Sequence, residues 1–274
     1  MPFPLTIYAV NRLFSQGLKD VLKKSITESI AICKDSVTIF YSLFTIHCFE
    51  RIKTMKTLTK EIQAAITPTM ALGLLKEGNK RFVNNLKVNR NLLQQANETS
   101  DGQHPFAVIL SCIDSRTSVE LIFDQGLGDV FSVRIAGNII NEDILGSMEF
   151  GCKVAGAKII VVLGHTRCGA IKGACDHLEM GNLTALLSKI QPAVYDEKTE
   201  TENRNSSNDV FVEKVATLNV KRTVHAILER SPILKEMIAA GAIGIVGGNH
   251  DIKTGDVIFY EDSLIINHSE INIK

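Results

Sequence analysis

The order of apolar runs and amphipathic stretches predicts an α/β fold. Its centre is a mostly parallel β-sheet, with about four parallel strands plus an antiparallel edge strand, flanked by helices and preceded by an N-terminal helical arm. Three observations carry this prediction. Short continuous apolar runs recur with helical stretches between them, which is how parallel strands buried on both faces read. Hydrophobic residues make up 45% and charged residues 22% of 274 positions, the composition of a chain with a real core. Lys+Arg and Asp+Glu are both 30, and this balance excludes a strongly basic nucleic-acid binder and a dominant acidic tail.

The chain divides near Met55. Residues 1–54 form an extension of unassigned role, apolar and basic, with 7 Lys/Arg against 4 Asp/Glu. It begins MPFPLTIYAV, without the basic n-region or small-residue cleavage site of a secretory leader. Its most apolar stretch, Ser36 to Phe49, is shorter than the roughly 20 residues a spanning helix needs and carries Ser, Thr and His, so no stable membrane span is expected. Met55 opens a fresh amphipathic stretch and is a candidate translation start; a targeting arm and a packing arm are the other readings of what precedes it. Residues 55–274 form the α/β domain.

Within that domain, Ala71, Leu72, Leu74, Leu75 and Phe82 recur at helical spacing after Pro68, predicting helix over 69–98. Phe106–Leu110, Val130–Arg134 and Ile159–Leu163 read as strands, and Ile144–Val154 as a helix ended by Ala155-Gly156-Ala157. Residues 196–209, DEKTETENRNSSND, read as a mobile polar loop. Phe211–Glu229 and the ILKEMIAAG stretch after Ser231-Pro232 return to helix. Ala242–Val246 is a fourth apolar run, and Val257–Tyr260 the hairpin-connected edge strand.

The chemistry concentrates at strand ends. Cys112 follows the first strand, His165 the third, and Cys168 lies three residues beyond His165 at a predicted helix start. Open α/β sheets bind ligands at the carboxyl ends of their strands. Two thiolates and one imidazole suit Zn²⁺, and three protein ligands leave a fourth position open, as catalytic zinc sites do. Six Cys are too sparse for a disulfide scaffold, and no CxxC pair supplies a fourth ligand. Asp114 and Arg116 follow Cys112 in the run Cys-Ile-Asp-Ser-Arg. The guanidinium keeps such an Asp ionised, and an ionised Asp can accept a hydrogen bond from a metal-bound hydroxide.

The motifs Cys112-Ile-Asp114-Ser-Arg116 and His165-Thr-Arg-Cys168-Gly169 together resemble those of the β-class carbonic anhydrases, from about Met55 to the C-terminus. The resemblance implies one Zn²⁺ per subunit and attack of zinc-bound hydroxide on CO₂, giving bicarbonate and a proton. It implies that Asp114 orients the hydroxide and Arg116 holds Asp114, or that Asp114 swings onto the metal in a closed state. It makes Gln103 a substrate contact reaching across a dimer interface, places Phe131 and Ala136 on an apolar CO₂ pocket, and puts Phe150 where some members have Tyr. Gly169, at a helix start, can supply a backbone N–H. A non-catalytic bicarbonate site found in some members uses Trp, Arg and Tyr. Here those positions are Ile109, Arg134 and His250, so that regulation is not expected and Asp114 should pair with Arg116. His104, His177 and His250 are candidate proton shuttles. Two thiolates cancel the ion's +2 charge, so activity should rise toward alkaline pH. A homodimer or homotetramer is implied, and reduced Cys ligands suit the cytoplasm. Hydrolysis of another small linear molecule of the CS₂ type on the same scaffold, and a non-enzymatic zinc-stabilised scaffold, are the competing readings.

Overall fold

A computed structural model describes residues 57–266; residues 1–54, Met55 and the Ser36–Phe49 stretch lie outside the described residues. The five-stranded sheet has the order β2-β1-β3-β4-β5. Its strands are β1 (Ala107–Ser111), β2 (Val130–Arg134), β3 (Ile159–His165), β4 (Gly244–His250) and β5 (Val257–Phe259). The first four pair in parallel, and β5 joins β4 antiparallel as the edge.

Alternate residues of the buried strands feed opposite faces, as the two-residue strand period requires. Val108, Leu110, Ile160, Val162 and Ile245 pack on one side with Val220, Val224, Ile227 and Leu234. Ala107, Ile109, Ile159, Val161, Leu163 and Val246 pack on the other with Leu72, Leu75, Ile122 and Phe123. The helices that cover the sheet are α1 (Lys60–Ala65), α2 (Pro68–Val83), α3 (Leu92–Glu98), α4 (Val119–Ile122), α5 (Glu142–Glu149), α6 (Gly169–Cys175), α7 (Gly181–Leu187), α8 (Gln191–Asp196), α9 (Asp209–Arg230) and α10 (Pro232–Ala239). Among the described residues none is long and apolar enough to cross a membrane.

The helix expected over 69–98 is two helices. Thr67 caps α2 with Pro68 in its first turn, as the sequence predicts. The chain then turns at Asn84-Asn85, where Asn85 adopts φ 54°. The reason is tertiary: Arg81, the Val88 N–H and Arg90 converge on the buried Asp124 carboxylate. A charge at 2% side-chain exposure persists only with such partners, and a straight helix could not deliver them.

Other boundaries shift for similar reasons. The helix around Ile144–Val154 starts at the Asn141 cap, and its last turn, Phe150–Val154, is a π turn. β4 runs four residues beyond Val246 through Gly247 and Gly248, where a Cβ would lie 2.6 Å from Val220 Cγ1 and 2.9 Å from the Ile258 carbonyl. Strand continuation here depends on close approach, which apolar periodicity does not signal. The polar loop expected to be mobile is instead gathered around Arg204, which donates to the carbonyls of Val194, Glu197 and Glu200 and stacks on Phe211 at 4.6 Å.

Gly78 in α2 faces α4 so closely that a Cβ would sit 1.8 Å from the Phe123 carbonyl oxygen, whereas one on Gly73 in the same helix meets nothing within 4 Å. Gly78→Ala should therefore destabilise by about 3 kcal/mol or more through overpacking against backbone. Gly73→Ala should stabilise by about 0.5–1 kcal/mol through helix propensity. Urea unfolding midpoints measure both, and opposite signs are the expected result.

Candidate metal centre

Cys112, His165 and Cys168 come together at the C-terminal end of β1 and β3. Parallel pairing sets Ser111 opposite Leu163, so the residues that follow lie at the same end of the sheet. Cys168 is the N-cap of α6. The three side chains are buried, and their ligand atoms lie within 4.8 Å of one another. The two sulfurs are 3.9 Å apart. Two sulfurs on a tetrahedral zinc at about 2.3 Å would be about 3.8 Å apart, so the pair matches.

The imidazole is set for ligation. His165 Nδ1 lies 2.9 Å from the Thr166 carbonyl, which assigns the proton to Nδ1. Nε2 is then a lone pair, buried and without a hydrogen-bond partner among the described residues. A buried lone pair of this kind beside two sulfurs is what a metal ion satisfies.

The thiols are electrostatically unequal. Cys112 is held well below the ordinary thiol range by the hydrogen bond from Cys168, helped by the Gly137 N–H, 3.4 Å from its sulfur. Cys168 is pushed up by that same hydrogen bond and by burial. A metal cation removes this conflict by stabilising both thiolates. The remaining described cysteines are different. Burial pushes Cys152 up to about 12 and Cys175 up to about 11.

Asp114 leaves the strand end with its carboxylate gripped by Arg116. Nε donates to Oδ1 at 2.9 Å, Nη2 to Oδ2 at 2.8 Å, and the Arg116 backbone N–H to Oδ1 at 3.0 Å. These bonds hold the carboxyl well below the usual carboxylate range.

Arg134 has a role the sequence reading missed. From the tip of β2 its Nε donates to the Cys112 carbonyl at 3.1 Å and its Nη2 to the Asp114 carbonyl at 2.7 Å, strapping the loop that carries both residues. Its position at a strand tip was the available signal. Ile109 is wholly buried on one sheet face. His250, opposite His165 in the β3–β4 register, is buried, and desolvation lowers it to about 4. The three positions weighed as a bicarbonate-binding set thus serve a strap, a core and a strand tip. Of the candidate shuttles only His250 adjoins the cluster, and it is held neutral.

The substrate-pocket candidates are less concentrated. Ala136 and Gly169 adjoin the centre: Ala136 starts the turn that carries Gly137, and Gly169 is exposed with open space about its Cα. Phe131 lies three residues below the tip of β2, edge-on to the exposed Phe150 at 6.3 Å. Gln103 is exposed and precedes β1, at the end of the sheet away from its own Cys112.

The thiol asymmetry predicts selective chemistry. In metal-free protein at pH 7, iodoacetamide should modify Cys112 roughly tenfold or more faster than Cys152 or Cys175. Bound zinc should protect it. Peptide mapping by mass spectrometry reads the order.

Comparison with known proteins places this geometry. Residues 107–257 match the carbonic anhydrase family model. The chain is 35% identical over 203 residues to carbonic anhydrase 2 of Mycobacterium tuberculosis, covering 70% of this chain and 92% of that one. Among solved structures it resembles the β-carbonic anhydrase CafA of Aspergillus fumigatus, with a TM-score of 0.56 and 25% identity over 70% of this chain and 90% of that one. It also resembles a tetrameric β-carbonic anhydrase of Sordaria macrospora, with a TM-score of 0.53 and 27% identity over 60% and 85%. With two thiolates and an imidazole converging at the end of a sheet of this topology, the chain belongs to the β-class carbonic anhydrase family.

Proposed function

We infer that this protein catalyses the reversible hydration of CO₂ to bicarbonate and a proton, with one Zn²⁺ per subunit held by Cys112, His165 and Cys168. The observation that carries the reading is the unpartnered Nε2 of His165 facing two sulfurs at zinc spacing, in a chain of this family. Zn²⁺ held by these donors supplies an acidified water near neutral pH, less acidified than with three neutral imidazoles because two thiolates cancel its charge. Family membership favours this reaction over CS₂-type hydrolysis and over a purely structural zinc.

The chain's own residues divide the remaining work. Asp114 stays ionised because Arg116 occupies both its oxygens, leaving lone pairs to accept a hydrogen bond from the attacking water and so to aim it. Arg116 sets the carboxylate plane. Arg134 keeps Asp114 in register with Cys112 by gripping both carbonyls. Ala136 and Gly169 leave room beside the centre for a small linear substrate, and Phe131 contributes apolar lining.

Gln103 bears on assembly. The five residues of β1 separate it from Cys112 by about 17 Å at about 3.3 Å per residue, so its contact with substrate requires a second subunit. A homodimer or homotetramer provides one, and the Sordaria relatives are described as tetrameric. In this reading residues 55–274 are the catalytic unit and residues 1–54 an extension, and reduced Cys ligands support a cytoplasmic enzyme.

Stopped-flow CO₂ hydration tests the assignment. Zinc-loaded parent should be active; Cys112→Ser should lose metal and activity together; Asp114→Ala should keep its zinc and lose roughly 10- to 100-fold in rate. No hydration by a zinc-loaded, dimeric parent across the alkaline range would refute it.

The pH dependence has a definite sign. Asp114's folded pKa is depressed, so the pair's contribution is complete above the unfolded value of about 3.9 and is lost only as pH falls through the lower folded value. The ratio of parent to Asp114→Ala rates should therefore be constant from pH 6 to 9. Sedimentation should show at least a dimer, and a fully active monomer would overturn the shared-site role of Gln103.

A further inference from the structure

Helix α9 touches the segments next to all three candidate ligands, and none of its residues is itself a ligand. Near its N-terminus Glu213 Oε1 accepts the Arg167 backbone N–H at 2.7 Å. Arg167 lies between His165 and Cys168 and adopts φ 58°, a left-handed conformation that costs a non-glycine residue energy. Two turns further on, the buried Asn219 donates from Nδ2 to the Gly137 carbonyl at 2.9 Å. Gly137, also left-handed at φ 67°, points its own N–H at Cys112 Sγ. Beside Asn219, Val220 packs on Gly164, where a Cβ would lie 2.8 Å from Val220 Cγ2, immediately before His165.

The Arg167 turn does not hold its shape by local preference, and Gly137 is followed by Asn138, a non-glycine residue at φ 42°. Gly137 accepts no Cβ, because one would meet Ile190 Cδ1 at 2.6 Å. Arg167 is exposed, and the hydrogen bond that holds its turn is made by its backbone N–H. A backbone conformation that local sequence disfavours persists only where surrounding structure over-determines it. Here the surrounding structure is one helix of 22 residues, seated on β3 and β4 by Val220, Val224 and Ile227.

We propose that Glu213 and Asn219 are positioning residues of the metal centre: from one rigid helix they hold the Arg167 turn and the Gly137 turn in the spacing that lets Cys168 and Cys112 share an ion. This rests on the zinc reading above and deepens it. Glu213 acts through a single accepted hydrogen bond, and Asn219 through a single donated one. Each governs a different thiolate, so their effects are separable.

The test is zinc release to a chromophoric chelator from zinc-loaded Glu213→Ala, Glu213→Gln, Asn219→Ala and the Glu213→Ala/Asn219→Ala double variant. Ile227→Val, on the same helix but in the sheet-facing core, controls for lost stability, and urea unfolding of each metal-free form matches the comparison. Both alanine variants should release zinc roughly 10- to 100-fold faster than the parent. The double variant should show approximately the product of the two factors. Glu213→Gln, which keeps an acceptor oxygen for the Arg167 N–H, should stay near the parent, as should Ile227→Val. The ¹¹³Cd resonance of cadmium-loaded protein should move in both alanine variants and not in Ile227→Val, a shift that stability loss alone would not produce.

Release no faster than in Ile227→Val, acceleration in only one alanine variant, or Glu213→Gln as fast as Glu213→Ala would overturn the proposal while leaving the metal centre standing. A parent that binds no zinc would overturn the centre and the proposal together.

Discussion

Parallel pairing of β1 with β3, Ser111 against Leu163, brings Cys112 and His165 to one end of the sheet. Everything in the centre follows from that register. The strands are buried on both faces, so their sides can carry only apolar residues. Polar chemistry is confined to the ends, where the backbone leaves the ladder and side chains can converge. A slip of one residue would exchange the two faces of β1 and send its apolar side chains into the wrong layers. The two sheet-face clusters thus fix the register, and the register fixes the spacing of sulfur and imidazole.

Bringing two ionisable sulfurs and an imidazole within 4.8 Å in a buried site works against stability unless something compensates. The protein compensates partly from its own groups. The Gly137 N–H points at Cys112, and the Thr166 carbonyl accepts the hydrogen bond from His165 Nδ1–H. The residual conflict, one thiol lowered and its neighbour raised, has the sign that a divalent cation relieves. The arrangement therefore fits a metal ion, and the zinc reading proposed above accounts for the buried, unpartnered His165 nitrogen.

Around this core lies a layer of fixed charges and amides. Arg116 holds the Asp114 side chain while Arg134 holds the Asp114 main chain, so the carboxylate is constrained from two directions. The exposed Arg116–Asp114 pair would contribute little to stability as a surface ion pair. Its value is geometric, because bidentate contact defines a plane as well as a charge. Helix α9 adds support through Glu213 and Asn219, which bind main-chain atoms of Arg167 and Gly137.

The convergence of Cys112, His165 and Cys168 and the pairing of Asp114 with Arg116 were legible from the sequence, because apolar runs mark where strands end and residue chemistry marks what those ends can hold. So were the sheet's parallel core and its antiparallel edge, since buried strands leave an unbroken apolar record. Other features were settled only by the tertiary structure. The break in the helix over 69–98 depends on Asp124, a residue remote in sequence that draws in Arg81 and Arg90. The extension of β4 depends on Val220 and β5 approaching glycines. The roles of Arg134, Glu213 and Asn219 consist of hydrogen bonds to main-chain atoms of distant segments. A main-chain atom is the same at every residue, so sequence shows no trace of which one will be bound; only folding brings donor and acceptor together.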